Sequence, residues 1–216
     1  MRRGAEVGRA GRAWILLTAM AVLVFAGGCG EGEEREADAP ASRPPDVPVE
    51  MLREGGYVVV FRHAATDTGM DTTDDLRDCS RQRNLNAEGR RQSREIGRAF
   101  ERLGIPVGRV LASPFCRTRD TARIAFGRVR ASRALLSVEF FASPQEGRRR
   151  GLRRLLEARP PDGTNTVLVS HGSAIYEATE RDPEEGEAVI VEPGRGKRGF
   201  AFVSTVGAGE WGRLAR

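Results

Sequence analysis

The chain has 216 residues, of which 39% are hydrophobic and 30% charged, and this composition excludes a wholly disordered protein. Lys and Arg number 35 against 30 Asp and Glu, for a formal net charge of +5, but acidic residues are interleaved throughout, so we do not expect nucleic-acid binding. Three Cys without C-x-x-C spacing and only two His argue against a structural zinc site.

The start of the chain has the pattern of an export signal. Four Arg precede an apolar run from Trp14 to Gly28. This run is shorter than the roughly 20 residues that a membrane-spanning helix needs. Small residues directly before Cys29 resemble the cleavage site of bacterial lipoprotein signals. We therefore expect residues 1–28 to be removed, Cys29 to carry a lipid anchor, and the protein to lie on the periplasmic side of the cell envelope. The alternatives are an ordinary cleaved signal, in which Cys29 has no role, and an uncleaved anchor, because Ala26 stands where lipoprotein signals usually have Leu.

The segment that follows, residues 29–50, is rich in Gly, Glu, Ala and Pro and has no apolar period. Such a composition is typical of a flexible tether, which would hold the rest of the chain close to a membrane surface. The folded domain is expected to comprise residues 51–216.

Strands and helices alternate along this domain. The β-branched and aromatic run at 57–61 is typical of a strand buried on both faces. Further strands are expected at 110–113, 166–170, 188–191 and 200–203, an extended piece at 135–141, and helices at 86–103, 115–126 and 145–159. The alternation predicts a single-domain α/β fold, in which helices flank a mainly parallel sheet.

Both histidines and two arginines follow these strands. Arg62 and His63 come directly after the first strand, His171 after the strand at 166–170, and Arg117 after the strand at 110–113. Because ligands bind at the carboxyl ends of parallel strands, these side chains are expected to meet at one edge of the sheet. Two Arg, two imidazoles and the start of a helix would form an anion site suited to phosphate.

Four short motifs occur in this order. They are Arg62-His63-Ala64, Asn84-Leu85-Asn86-Ala87-Glu88-Gly89 with Gln92, Ser113-Pro114-Phe115-Cys116-Arg117-Thr118 with Thr121-Ala122, and Ser170-His171-Gly172. Their combination resembles the histidine phosphatase superfamily, the phosphoglycerate mutase-like enzymes, over roughly residues 56–205. The resemblance implies a phosphoglycerate mutase-like fold and phosphoryl transfer to a histidine.

By this resemblance, His63 is the phosphorylated nucleophile. Arg62, Arg117 and His171 would bind and neutralise the phosphoryl oxygens. The family usually has Gly after the nucleophile, where this chain has Ala64.

The proton donor to the leaving group is open at this stage. One branch of the family places an acid directly after the second histidine, but here Gly172 and Ser173 follow. Another branch places a Glu after the Ser-Pro…Arg motif, which would correspond to Glu139. Asp67 and Asp71, in the polar loop after the nucleophile, are the competing candidates.

Two cysteines would flank this site, Cys79 on the loop before the first long helix and Cys116 beside Arg117. Outside the cytoplasm they could form a disulfide, and two free buried thiols are the alternative.

The expected activity is phosphomonoester hydrolysis through phosphohistidine, without a metal or organic cofactor. The substrate would be a small or envelope-associated phosphate ester, and the partners would be this substrate and the membrane, with no nucleic acid and no obligate protein partner. One alternative is a catalytically inactive envelope lipoprotein that binds phosphate. Another is a basic structural protein of the envelope, in which the motifs are coincidental.

Overall fold

A six-stranded sheet forms the centre of the part that the computed structural model describes, residues 49–69, 71–73, 75–137 and 145–216. The strands are β1 (Val58–Arg62), β2 (Val107–Ala112), β3 (Arg130–Ala131), β4 (Asn165–Ser170), β5 (Ala188–Pro193) and β6 (Phe200–Val206). Their order in the sheet is β3-β2-β4-β1-β5-β6. The first four in this order are parallel, whereas β5 is antiparallel to β1 and to β6.

Six helices accompany the sheet in the described ranges. They are α1 (Val49–Glu54), α2 (Ala87–Arg102), α3 (Cys116–Phe126), α4 (Gln145–Glu157), α5 (Gly172–Thr179) and α6 (Ala208–Leu214). Two short 3-10 turns occur at Cys79–Arg81 and Arg133–Leu135. Within these ranges, no helix combines the length and the apolar character that crossing a bilayer requires.

The sheet is buried on both faces, because successive side chains of a strand point in opposite directions. Val59 and Phe61 of β1 pack into one cluster with residues of α2 and α6, among them Phe100 and Trp211. Val58 and Val60 pack into the cluster on the other face, which includes Leu152 and Leu156 of α4 and Ile175 of α5. Hydrophobic burial on both faces thus fixes β1 at the centre of the fold and fixes the position of the residues that follow it.

The predicted α/β fold with a mainly parallel sheet is confirmed. The expected strands and helices are present with bounds shifted by a few residues, the largest shifts being the start of β2 at Val107 rather than Val110 and the end of β6 at Val206 rather than Val203. The expected extended piece at 135–141 begins instead with the 3-10 turn at Arg133–Leu135. Its residues 138–141 lie outside the described residues, as do the export signal, Cys29 and the tether up to residue 48.

Candidate active site

His63 lies at the carboxyl end of β1 and is held through its backbone. Its amide donates to the carbonyl of Ser170 at the end of β4, and its carbonyl accepts from the amide of Gly186, just before β5. The side chain is almost fully buried. The ring is therefore fixed between the two central parallel strands and the start of the antiparallel one.

The hydrogen bonding of the His63 ring determines which nitrogen can react. Nδ1 lies 3.0 Å from the carbonyl oxygen of Ala64, which can only accept, so Nδ1 carries the proton and Nε2 carries the lone pair. Burial, together with the charges of Arg117, Arg62 and Arg83, lowers the pKa of His63 to about 3, although the bond to Ala64 acts in the opposite direction. His63 is thus a neutral imidazole at physiological pH, with a free lone pair on Nε2.

Arg117 is the second residue of α3 and is buried at the carboxyl end of β2. Its Nη1 donates to both carboxylate oxygens of Asp71, at 3.0 and 3.2 Å, and its guanidinium lies 4.4 Å from the ring centre of Phe115. Burial lowers the pKa of Arg117, while Asp71 opposes this shift. The aspartate therefore acts as the counter-ion that keeps a buried arginine charged.

His171 follows β4 and precedes α5, with its ring centre 5.7 Å from that of His63. Its Nε2 lies 2.9 Å from the hydroxyl of Ser113, and its Nδ1 lies 3.5 Å from Nη2 of Arg117. Burial and then the charge of Arg117 hold the pKa of His171 well below its ordinary value. The two histidines and Arg117 thus form one contiguous cluster.

Arg62 completes this cluster. Its Nη1 donates to the carbonyl of Pro183 at 3.0 Å, and a side chain at Gly172 would come within 3.4 Å of the same atom. Among the described residues, the buried Nε atoms of Arg62 and Arg117 have no hydrogen-bond partner. Because a buried donor without a partner is costly, these two groups favour an anionic ligand with several acceptor oxygens.

One amide at the start of α3 is occupied by the protein itself. The amide of Cys116, first in α3, already donates to the side-chain oxygen of Gln82, so it is committed to the protein.

The remaining predicted site residues are distributed as follows. Asp71 contacts Arg117, and Asp67 is exposed on the loop after His63. Glu139 lies outside the described residues, so its role stays a prediction. Cys79 and Cys116 are joined in a disulfide, which links the loop carrying Asp71 to the start of α3.

Three residues of this site were missed from the sequence. Glu185, Thr66 and Arg83 lie beside Arg62 and His63, with the Glu185 carboxylate 3.8–3.9 Å from a nitrogen of Arg62, of His63 and of Arg83. Glu185 lies in an acidic stretch, in which nothing in the sequence distinguishes one Glu from the next. The useful signal was topological, because an antiparallel β5 beside β1 brings the residues before β5 next to those after β1.

No group of three or more His, Cys, Asp or Glu in the described ranges could hold a metal ion. Metal-independent chemistry remains a prediction.

Comparisons with known proteins agree with this geometry. The model of the histidine phosphatase superfamily (branch 1) matches residues 58–140, and no curated protein matches the sequence. Among solved structures, the protein histidine phosphatase SixA complexed with tungstate is 16% identical, with 70% of this chain and 97% of that chain covered and a TM-score of 0.51.

A putative alpha-ribazole-5'-P phosphatase from Escherichia coli str. K-12 substr. MG1655 is 11% identical, with 69% and 95% covered and a TM-score of 0.50. Likeness at this level of identity shows a shared fold. With the family match, it confirms the resemblance to the histidine phosphatase superfamily.

Proposed function

We propose that this relative of the histidine phosphatase superfamily hydrolyses phosphate monoesters through a covalent phosphohistidine at His63. The family match supports phosphatase activity in general. The observation that carries the finer proposal is a neutral His63 with a free Nε2, in a buried cluster that also holds two unpartnered arginine donors.

In the first step, the lone pair of His63 Nε2 attacks the phosphorus of the bound ester. The bond between phosphorus and the ester oxygen breaks, and its electron pair goes to that oxygen, which takes up a proton. Arg62 and Arg117 donate to the phosphoryl oxygens, where negative charge is concentrated in the transition state. Since these groups are already held in place, the site needs little reorganisation to bind the reacting group.

In the second step, the donor that was deprotonated in the first step takes a proton from water as the water oxygen attacks phosphorus. The bond from phosphorus to Nε2 breaks, inorganic phosphate is released, and the donor regains its proton. Nε2 recovers its lone pair, while Nδ1 keeps the proton that it donates to Ala64. The ring thus returns to its starting state without a net change of proton.

The donor to the leaving oxygen is proposed to be Glu139, as the sequence motif suggests. Of the two competitors, Asp71 accepts from Arg117 through both carboxylate oxygens. This arrangement suits a residue that holds Arg117 in place better than one that donates a proton. Asp67 is exposed and remains the rival candidate.

The proposed location is the periplasmic side of the cell envelope, with a lipid anchor at Cys29. A substrate that is small or envelope-associated fits this location. This part of the proposal rests on the sequence alone.

The test uses the full chain in detergent with an aryl phosphate, in the presence and absence of EDTA. We expect turnover that EDTA does not abolish and that is lost in His63→Asn and His171→Asn. Glu139→Gln should lose more activity with a poor leaving group than with a good one. The control is Glu101→Gln, which removes a charge at an exposed position and should be as active as the wild type. Phosphate binding without turnover or a covalent adduct would instead favour the inactive phosphate-binding lipoprotein.

A further inference from the structure

Glu185 is a carboxylate inside a site that should bind an anion. Oε1 accepts from the hydroxyl of Thr66 at 2.8 Å, and Oε2 accepts from the amide of Thr66 at 3.2 Å. Oε1 also lies 3.9 Å from Nη2 of Arg62 and 3.8 Å from Nη2 of Arg83. Only a quarter of the side chain is exposed, so the carboxylate is held firmly at this position.

A negative charge here acts against phosphate binding. It repels a phosphate dianion, and it competes for Arg62, which should bind the same phosphate. The Arg83 guanidinium, whose Nη2 lies 3.8 Å from the same carboxylate, is drawn towards Glu185 as well. The position of Glu185 therefore suggests that its carboxylate acts in a step that follows phosphate binding.

The contact with His63 identifies that step. Oε1 lies 3.8 Å from Nδ1, and among the described residues no other carboxylate lies within 4 Å of a His63 ring nitrogen. When Nε2 forms its bond to phosphorus, the ring becomes a cation, because Nδ1 keeps its proton. Burial and the three arginines oppose a cation at this position. A nearby carboxylate offsets this opposition.

We propose that Glu185 is a positioning residue that stabilises the positive charge His63 gains on phosphorylation, and that it holds Arg62 and Arg83 around the reacting group. This inference rests on the proposed phosphohistidine mechanism. Glu185 contacts the ring nitrogen that does not react, so it acts through His63 and does not donate a proton to the leaving group.

The key variant is Glu185→Gln, which keeps the side-chain length and an acceptor oxygen for Thr66 but removes the charge. The rate of phosphohistidine formation in a single turnover should fall by about 10–100-fold. The affinity for inorganic phosphate, measured by calorimetry, should rise several-fold, because repulsion is removed. Glu185→Asp should recover part of the rate, since the charge is retained.

The matched control is Glu184→Gln, which makes the same charge change at the exposed neighbouring position and should alter neither quantity. A purely structural role predicts that rate, phosphate affinity and thermal stability fall together, and this result would overturn the inference. An effect that grows with the pKa of the leaving group would also overturn it, because Glu185 would then be a proton donor.

The two proposals fail in different ways. If the wild type forms phosphohistidine and Glu185→Gln forms it equally fast, the inference is wrong and the mechanism stands. If the wild type binds phosphate but never phosphorylates His63, the proposed function is wrong and the inference falls with it.

Discussion

The pair formed by Asp71 and Arg117 gives a quantitative prediction about how the site is held together. The side chain of Arg117 is 6% exposed and that of Asp71 is 17% exposed. Asp71 accepts from Nη1 of Arg117 and from the amide of Arg83 at 2.9 Å. Breaking a buried pair by removing one partner costs roughly 3–5 kcal/mol, because a buried charge is left without its counter-ion.

Asp71→Asn should cost somewhat less than this. The amide oxygen can still accept from Arg83, and the partial exposure of position 71 lets water approach Arg117. We expect a loss of about 2–3 kcal/mol in the free energy of unfolding, measured by urea denaturation followed by circular dichroism.

Asp75→Asn is the matched control. Asp75 pairs with Arg77 on the same loop, but this pair is exposed to solvent, so its loss should produce no measurable change. Inorganic phosphate should restore more stability to Asp71→Asn than it adds to the wild type, because an anion can replace the missing carboxylate. Equal effects of the two substitutions, or a smaller response to phosphate in Asp71→Asn, would show that Asp71 is not the counter-ion of Arg117.

Two further predictions concern pH and redox state. The pKa of His63 is lowered from 6.5 to about 3, so the unfolded state binds the proton first as the pH falls below 6.5. The free energy of unfolding should therefore fall as the pH drops from 6.5 towards 3. At about pH 5, His63 should account for about 2 kcal/mol of this loss in the wild type, and His63→Asn should not show that part of the loss. The double variant Cys79→Ser with Cys116→Ser opens a link between residues 37 apart in sequence. This variant should lose about 3–4 kcal/mol in the free energy of unfolding and should bind phosphate more weakly. A wild type whose melting temperature does not change when the disulfide is reduced would contradict this.

The sequence was sufficient to predict the central part of the site. Arg62, His63, Arg117 and His171 each follow a hydrophobic run, and the carboxyl ends of parallel strands meet at one edge whatever the details of the loops. The structure brings all four together, with the histidine rings in one cluster.

The second set of charges could not be predicted in this way. Glu185 and Arg83 reach the site from loops, where neither strand periodicity nor spacing determines the direction of a side chain. The position of Glu185 depends on the antiparallel pairing of β5 with β1. The position of Arg83 depends on the contacts of Asp71 with the Arg83 amide and of Gln82 with the start of α3. The hydrogen bond from Nδ1 of His63 to Ala64 likewise depends on the backbone after β1, which the sequence does not specify.

In the proposed mechanism, His63 carries the phosphoryl group during turnover. The most direct test is rapid-quench mass spectrometry of the full chain mixed with an aryl phosphate, with proteolysis under alkaline conditions that preserve phosphohistidine. We expect one phosphoryl group on the peptide containing His63, which should appear before free phosphate accumulates and should be absent in His63→Asn. Turnover without any phosphorylated peptide, or a phosphoryl group on another residue, would contradict it.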